Sequence, residues 1–171
     1  VKTLKPPRTA AAKPPAHTPP QAPLPDTLAP QLATLVAKPP ADSADWVYEI
    51  KFDGYRLLAR VQGKKLQLFT RNGNDWTHKL KALHTELLRM QLPEGWYDGE
   101  IVVLNDEGVP DFGALQQSFD AKKTSAIVYY LFDLPYCGGH DLRAQPLVAR
   151  RALLQRVLAE RASDTVRFSD V

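Results

Sequence analysis

Glu49-Ile50-Lys51-Phe52-Asp53-Gly54-Tyr55-Arg56 lies where the character of the chain changes, and its reading decides the fold. Apolar and polar residues alternate from Trp46 to Phe52, a period of two that predicts a strand there. Gly54 is a turn residue, and Tyr55–Val61 reads as a second strand. Gly63-Lys64-Lys65 turns into a third strand, Leu66–Thr70, so the stretch predicts an antiparallel meander. Further along, Lys79–Gln91 puts Leu80, Leu83, Leu87 and Met90 on one face of a helix that Pro93 stops. Trp96–Leu104 reads as a strand ending in a turn at Asn105–Gly108. Asp111 is placed to cap a short helix reaching about Phe119. Ala126–Phe132 is apolar, β-branched and aromatic, as a buried strand is. Pro146 suits the start of a helix to about Arg161, with Leu147, Leu154, Val157 and Leu158 inward. The expected fold class is α+β: antiparallel β-sheets with helices packed on their faces.

The chain has 171 residues, 44% of them hydrophobic, which allows one modest core and not two domains of typical size. No apolar run approaches the roughly 18 residues that a membrane-spanning helix needs. No charged and then apolar leader is present, so the reading is of a soluble, cytoplasmic protein. Val1 stands where Met is usual, and the chain is expected to be a processed product or a piece of something longer. The single cysteine, Cys137, excludes an internal disulfide framework and a thiolate zinc site. The net charge of +3 is unevenly spread: residues 1–40 carry +4 and the rest −1. The body is therefore no basic glove for nucleic acid, and contacts to DNA or RNA must come from local patches. Of 15 prolines, 11 lie in residues 1–40. We read 1–27 as a basic proline-rich linker, disordered or polyproline-like to about residue 25, and 28–171 as the folded part. Leu28, Leu32, Leu35 and Val36 fall at rough helical spacing and predict a short docking segment broken by Pro39-Pro40.

Four clusters can carry chemistry. In the first, Lys51 is followed at once by Asp53, a Gly turn and Arg56. An amine becomes a nucleophile when burial, a neighbouring arginine or a metal cation favours its neutral form. Arg56 can return to the same mouth and bind a phosphate or a ribose hydroxyl. The plain alternative is a hairpin with an exposed Lys–Asp pair of little consequence. The second cluster, Thr70-Arg71-Asn72-Gly73-Asn74-Asp75-Trp76-Thr77, reads alone as a polar turn. The third, Asp98-Gly99-Glu100, puts a carboxylate at the start of a buried strand, where it needs a cation, a metal or a donor. The fourth is Tyr129-Tyr130-Leu131-Phe132-Asp133-Leu134, in which Tyr130 and Phe132 share a face opposite Tyr129 and Leu131. An aromatic beside a pocket stacks on a base; in a core it only packs. The four histidines show no metal-ligand spacing.

Lys51-Phe52-Asp53-Gly54-Tyr55-Arg56 resembles motif I, K-x-D-G-x-R, of the covalent nucleotidyltransferases: ATP-dependent DNA ligases, RNA ligases and capping enzymes. Arg71-Asn72-Gly73 resembles motif Ia, Asp98-Gly99-Glu100 motif III and Phe132-Asp133-Leu134 motif IIIa, in the family's order. The fuller text, through Leu32-Ala33-Thr34-Leu35 and Asp75-Trp76-Thr77 to Pro146-Leu147, resembles the ligase domain of bacterial ligase D, the end-joining ligases. The resemblance covers about residues 28–171. It implies that Lys51 takes AMP from ATP as a phosphoramidate. The AMP then passes to the 5′-phosphate of nicked or broken DNA, and a 3′-hydroxyl displaces it. It further implies that Glu49 and the Ile50 backbone contact adenine, that Phe132 stacks on it, and that Arg56 and Glu100 hold the ribose. Arg71 is expected at phosphate, Asp53 in ordering the lysine and the metal shell, and Glu100 at a Mg or Mn ion. The family also implies an end-binding Ku partner, linked phosphoesterase and polymerase modules, and work at the bacterial nucleoid. The family's later motifs, IV and V, and its OB-fold domain have no counterpart after Leu134, so the chain is expected to be the first part of the nucleotidyltransferase domain and impaired when alone. An RNA ligase or capping enzyme, and a non-catalytic module that binds nucleotide or DNA, stay open as alternatives.

Overall fold

A computed structural model describes residues 18–39 and 46–170. β1 (Tyr55–Gln62) and β2 (Lys65–Thr70) form the expected hairpin, with Leu57 opposite Thr70 and Gln62 opposite Lys65. The link between them passes through Gly63 at φ +57°, a left-handed conformation that glycine adopts without strain. β1 is also flanked on its other edge by β3 (Gly95–Val103), antiparallel, and β3 by β4 (Ile127–Cys137), again antiparallel. Two short strands share the far edge of β4. β5 (His140–Asp141) pairs antiparallel with Tyr136 and Cys137, and β6 (Val166–Phe168) runs parallel beside Tyr129–Leu131. The result is a single six-stranded sheet of order β2-β1-β3-β4-β5, with β6 also on β4.

Three helices complete the α+β architecture: α1 (Lys81–Met90), α2 (Phe112–Asp120) and α3 (Leu147–Ala159). α2 is capped as its sequence predicts, the Asp111 carboxylate accepting from Ala114 N–H at 2.9 Å. The helices cover one face of the sheet. There Leu57, Ala59, Tyr97, Ile101, Tyr129 and Leu131 pack against Leu83 and Leu87 of α1, Leu115 of α2 and Leu154 of α3. Tyr129 is fully buried and donates its hydroxyl to Leu57 O at 2.8 Å, tying β4 to β1 across β3.

Four expectations need correction. Trp46–Phe52 is not a strand; it runs as coil with Trp46, Tyr48 and Ile50 more than half exposed. Both edges of β1 are taken by β2 and β3, so the residues just before it have no ladder to join there. Leu32, Leu35 and Val36 form no helix and are exposed, while Leu28 alone of that set packs on the body. Leu147 is exposed at the start of α3, and the helix instead buries Arg150 and Arg151.

The fourth correction concerns the linker. Residues 1–17 lie outside the described residues, but Pro20–Leu28 is a strap laid on the face of the sheet away from the helices. Ala22 and Leu24 pack with Leu28 on Leu58, Trp96 and Tyr136. The Pro25 carbonyl accepts from Trp96 Nε1 and from Arg60 Nε, both at 3.0 Å. Proline lacks a donor but keeps its acceptor, and an extended proline-rich chain has no internal hydrogen bonds to use it up. Arg60, 3% exposed, also reaches Asp26 at 2.8 Å.

Acid stability follows from two carboxylates at the periphery. Glu86 accepts from Arg89 at 2.7 Å and from Ser163 Oγ at 2.5 Å, and these bonds hold its pKa at about 2 against an ordinary 4.5. Arg143 holds Asp141 at about 2 in the same way. A depressed carboxylate stabilises the folded chain above its unfolded pKa, and that stability is lost as pH falls through the folded one. The melting temperature is therefore expected to drop between about pH 4.5 and about pH 2. Ser163→Ala, which removes one donor to Glu86, should leave the onset near pH 4.5, shrink the drop and end it at a higher pH in a thermal melt series.

Candidate active site

The period of a strand places the site. Arg56, Asp98, Glu100 and Tyr130 fall on cross-strand neighbours that point away from the helices, Arg56 opposite Glu100 and Glu100 opposite Tyr130. On that face lies a cavity of about 720 Å³, the size of a cofactor pocket. Its lining includes Lys51, Gly54, Arg56, Arg71, Trp76 and Glu100. Three of the four sequence clusters thus meet around one space.

Each wall has a local cause. Gly54 makes the turn into β1 beside Ile101, where a Cβ would lie 2.2 Å from the Ile101 carbonyl oxygen. Only glycine allows that approach, and its N–H donates to Glu100 Oε1 at 3.0 Å. Arg71 sits on a turn closed by Gly73 N–H to Thr70 O and by Thr70 N–H to Asn74 O, both 2.9 Å, with Gly73 at φ +79°. The turn leaves the Arg71 side chain exposed on the cavity wall. Trp76 is set by its N–H to Leu68 O at 2.8 Å and by aromatic contact with Tyr55 at 5.7 Å. Lys51 is exposed on the same wall, so of the three influences expected at its amine, burial is missing.

Arg56 is the most constrained group. Its Nε and Nη2 donate to the two oxygens of Asp98 at 2.6 and 2.7 Å, and Nη2 also reaches Gln31 O at 3.2 Å. Its guanidinium lies over the Phe132 ring, 4.5 Å from the centroid. Asp98 is 2% exposed. Burial drives its carboxyl upward from the ordinary value, and the Arg56 bonds pull back against that rise. Burial is the largest influence on Arg56 and would lower it; the hydrogen bonds to Asp98 together with the negative charges of Asp98 and Glu100 outweigh it and leave the guanidinium raised. Glu100 is raised mainly by burial; the Gly54 N–H, Arg56 and Lys51 oppose the rise, and Asp53 adds to it.

The cavity brings together Lys51, Arg56, Arg71 and Glu100. It does not bring in the other residues singled out. Glu49 turns its carboxylate to Arg151 of α3, and Ile50 is 69% exposed. Asp53 is exposed at the turn, near enough for its charge to act on Glu100. Phe132 is half-buried with one face under Arg56. Two contributors were missed by sequence reasoning. Asp98 was quoted within its motif but given no part; its near-certain burial on β3 called for a cation, and Arg56 is that cation. Arg151 carried no signal in the sequence, yet it binds Glu49 and the carbonyls of Phe132 and Ser169.

The residues fit a nucleotide with its ion in part. Arg71 and Lys51 present cationic groups for phosphate, and Glu100 presents an acceptor suited to a hydroxyl or a hard cation. Among the described residues no group of three or more His, Cys, Asp or Glu is placed to hold a metal ion. Magnesium needs no such cage: one or two carboxylates together with substrate phosphates commonly hold it.

Residues 30–171 match the family described as ATP dependent DNA ligase domain. The chain is 48% identical over 147 residues to the multifunctional non-homologous end joining protein LigD of Pseudomonas aeruginosa, covering 86% of this chain and 17% of that protein. It is 36% identical over 119 residues to a DNA ligase-like protein, LigB, of a Bacillus subtilis prophage, covering 68% of this chain and 43% of that one. In structure it resembles the ligase domain of M. tuberculosis LigD, with a TM-score of 0.57 at 28% identity over 70% of this chain and 38% of the other. A mycobacterial DNA ligase D solved with ATP gives a TM-score of 0.56 at 31% identity, again over 70% and 38%. The chain spans less than half the length of each of these relatives.

Proposed function

The chain belongs to the ATP-dependent DNA ligase domain family, and from that premise we propose that it is the adenylate-accepting part of a DNA ligase that seals breaks in double-stranded DNA. The observation that carries this is the convergence of Lys51, Arg56, Arg71 and Glu100 on one cavity of nucleotide size. The neutral Lys51 amine attacks the α-phosphorus of ATP; a nitrogen–phosphorus bond forms, the bond to pyrophosphate breaks, and the amine proton leaves. A 5′-phosphate oxygen of DNA then takes the AMP and frees Lys51, and a 3′-hydroxyl displaces AMP to close the strand. Magnesium or manganese, when bound, neutralises charge building on the phosphates and favours the free amine.

The remaining roles rest on chemistry. Arg71, on a turn at the cavity wall, binds phosphate, by family resemblance that of the DNA 5′ end. Arg56 keeps donors for a ribose hydroxyl while Asp98 fixes its plane. Glu100 accepts from the ribose or joins the ion, and Asp53 is the second carboxylate beside it. Glu49, the Ile50 backbone and Phe132 form the adenine side, which requires Glu49 to exchange Arg151 for the base. The same reading places the protein in end joining, in the bacterial cytoplasm, beside a Ku end-binding partner and phosphoesterase and polymerase modules. No helix among the described residues is long and apolar enough to cross a membrane.

The test is transfer of label from α-labelled ATP to the protein, with magnesium or manganese. Label from ATP and not from GTP is the expected result; a preference for GTP would make the chain a capping-type enzyme. Because the stretch is expected to be impaired alone, the test is read in the intact ligase domain, where saturable ATP binding with no label at any metal concentration would assign it to the non-catalytic modules.

A further inference from the structure

Beyond the cavity, the buried charges of this chain form a line. Arg56 holds Asp98 with two bonds, and across the β3–β4 ladder Asp98 stands opposite Asp133. The ladder slips on both sides of Asp98, between Trp96 and Asp98 and between Asp98 and Gly99. In register, Gly99 faces Leu131 and Asp98 faces Asp133, so Phe132 is the extra residue of a bulge. Bulges re-aim side chains, and this one brings two carboxylates face to face. Asp98 is 2% and Asp133 8% exposed, so water does little to screen one from the other.

The second carboxylate has its own guanidinium. Arg150 of α3, 7% exposed, donates Nε and Nη2 to the two Asp133 oxygens at 2.7 and 2.9 Å. Its Nη1 is used by Gln145 O at 2.7 Å, so its donors are committed. The order of charge is therefore Arg56, Asp98, Asp133, Arg150: plus, minus, minus, plus. A small cavity of about 150 Å³ touches Asp98, Asp133 and Arg150 together. Arg143 also lines it, but its guanidinium is spent on Asp141 at 2.8 Å. No other cation among the described residues reaches Asp133 within ion-pair distance.

We propose that Arg150, far from the cavity in sequence and outside its lining, is a positioning residue for Arg56: by neutralising Asp133 it keeps Asp98 free to hold Arg56 flat against Phe132. Without it, two buried carboxylates share one guanidinium. Asp133 then competes for Arg56 and loosens the Arg56 fork. The catalytic meaning of this rests on the function proposed above; the structural coupling does not.

The experiment separates the two. In the full chain with 15N-labelled arginine, NMR follows solvent exchange of the Arg56 Nε–H. Arg150→Met is expected to speed that exchange about tenfold or more, since bonds between charged groups are worth about 1.5–3 kcal/mol. Arg150→Lys keeps the charge and should restore most of the protection. The deciding variant is Arg150→Met with Asp133→Asn. It removes the unpaired carboxylate as well, and it should return Arg56 to slow exchange although both ends of the outer pair are gone. A purely structural Arg150 predicts the reverse, a double variant as loose as the single one. If the single variant does not fold, the double variant and Arg150→Lys still decide. Unchanged Arg56 exchange in a folded Arg150→Met, or no recovery in the double variant, overturns the proposal. Transfer of label from ATP, measured alongside, should show a raised KM for ATP in Arg150→Met and recovery in the double variant. Absence of label in the intact ligase domain would count against the ligase reading alone and leave the exchange result standing.

Discussion

Lys51→Ala abolishes transfer of label from ATP to the protein, with nothing measurable left, while the melting temperature stays close to that of the unmodified chain. The two halves of this expectation have separate causes. The label needs a nitrogen that can bond to phosphorus, and a phosphoramidate cannot form on the hydroxyls of Tyr55 and Thr70 that also line the cavity; Cys137 lies at the far end of β4. Stability is indifferent because Lys51 is exposed on coil, and surface changes of this kind are usually within about 0.5 kcal/mol. Autoradiography after acid and base treatment checks the first half and a thermal melt the second. A phosphoramidate is labile to acid and survives base. Label that persists in the alanine variant removes Lys51 from the mechanism outright.

Arg56→Met has the opposite signature, a large loss of stability along with any loss of activity. It strips Asp98 of its bidentate partner and leaves a carboxylate at 2% exposure opposite Asp133. Breaking a buried ion pair from one side costs about 3–5 kcal/mol, because the remaining charge has neither water nor partner. For a chain of this size that is a fall of roughly 6–20 °C in melting temperature. The double change Arg56→Met with Asp98→Leu should recover most of that loss, since replacing both partners by apolar groups removes the uncompensated charge. Urea titrations of the three proteins measure it. A single variant as stable as the parent would mean that Asp98 finds water or a proton at no cost.

Much of this architecture was legible before any coordinates. The hairpin of β1 and β2, the face of α1 and the cap of α2 all depend on neighbours in sequence, and local patterns report local partners. Lys51, Arg56, Arg71 and Glu100, which line one cavity, could be singled out for a related reason: each stands within three residues of a glycine. What failed was decided at long range. Trp46–Phe52 alternates like a strand, but the edges beside it were already occupied. β5 and β6 are two and three residues long, too short to show a period. Arg150 and Arg151 look like surface residues of an amphipathic helix until Asp133 and Glu49 are seen beneath them. The bulge at Phe132 was invisible because register belongs to a pair of strands and not to either one.

The ribbon before the sheet has a mechanical consequence. It is riveted at the Pro25 carbonyl to Trp96 and Arg60, on two neighbouring strands, before it reaches Gln31 and the cavity lip at Leu32 and Ala33. A tug transmitted along the amino-terminal side is borne by that rivet, in shear against two strands, and stops there.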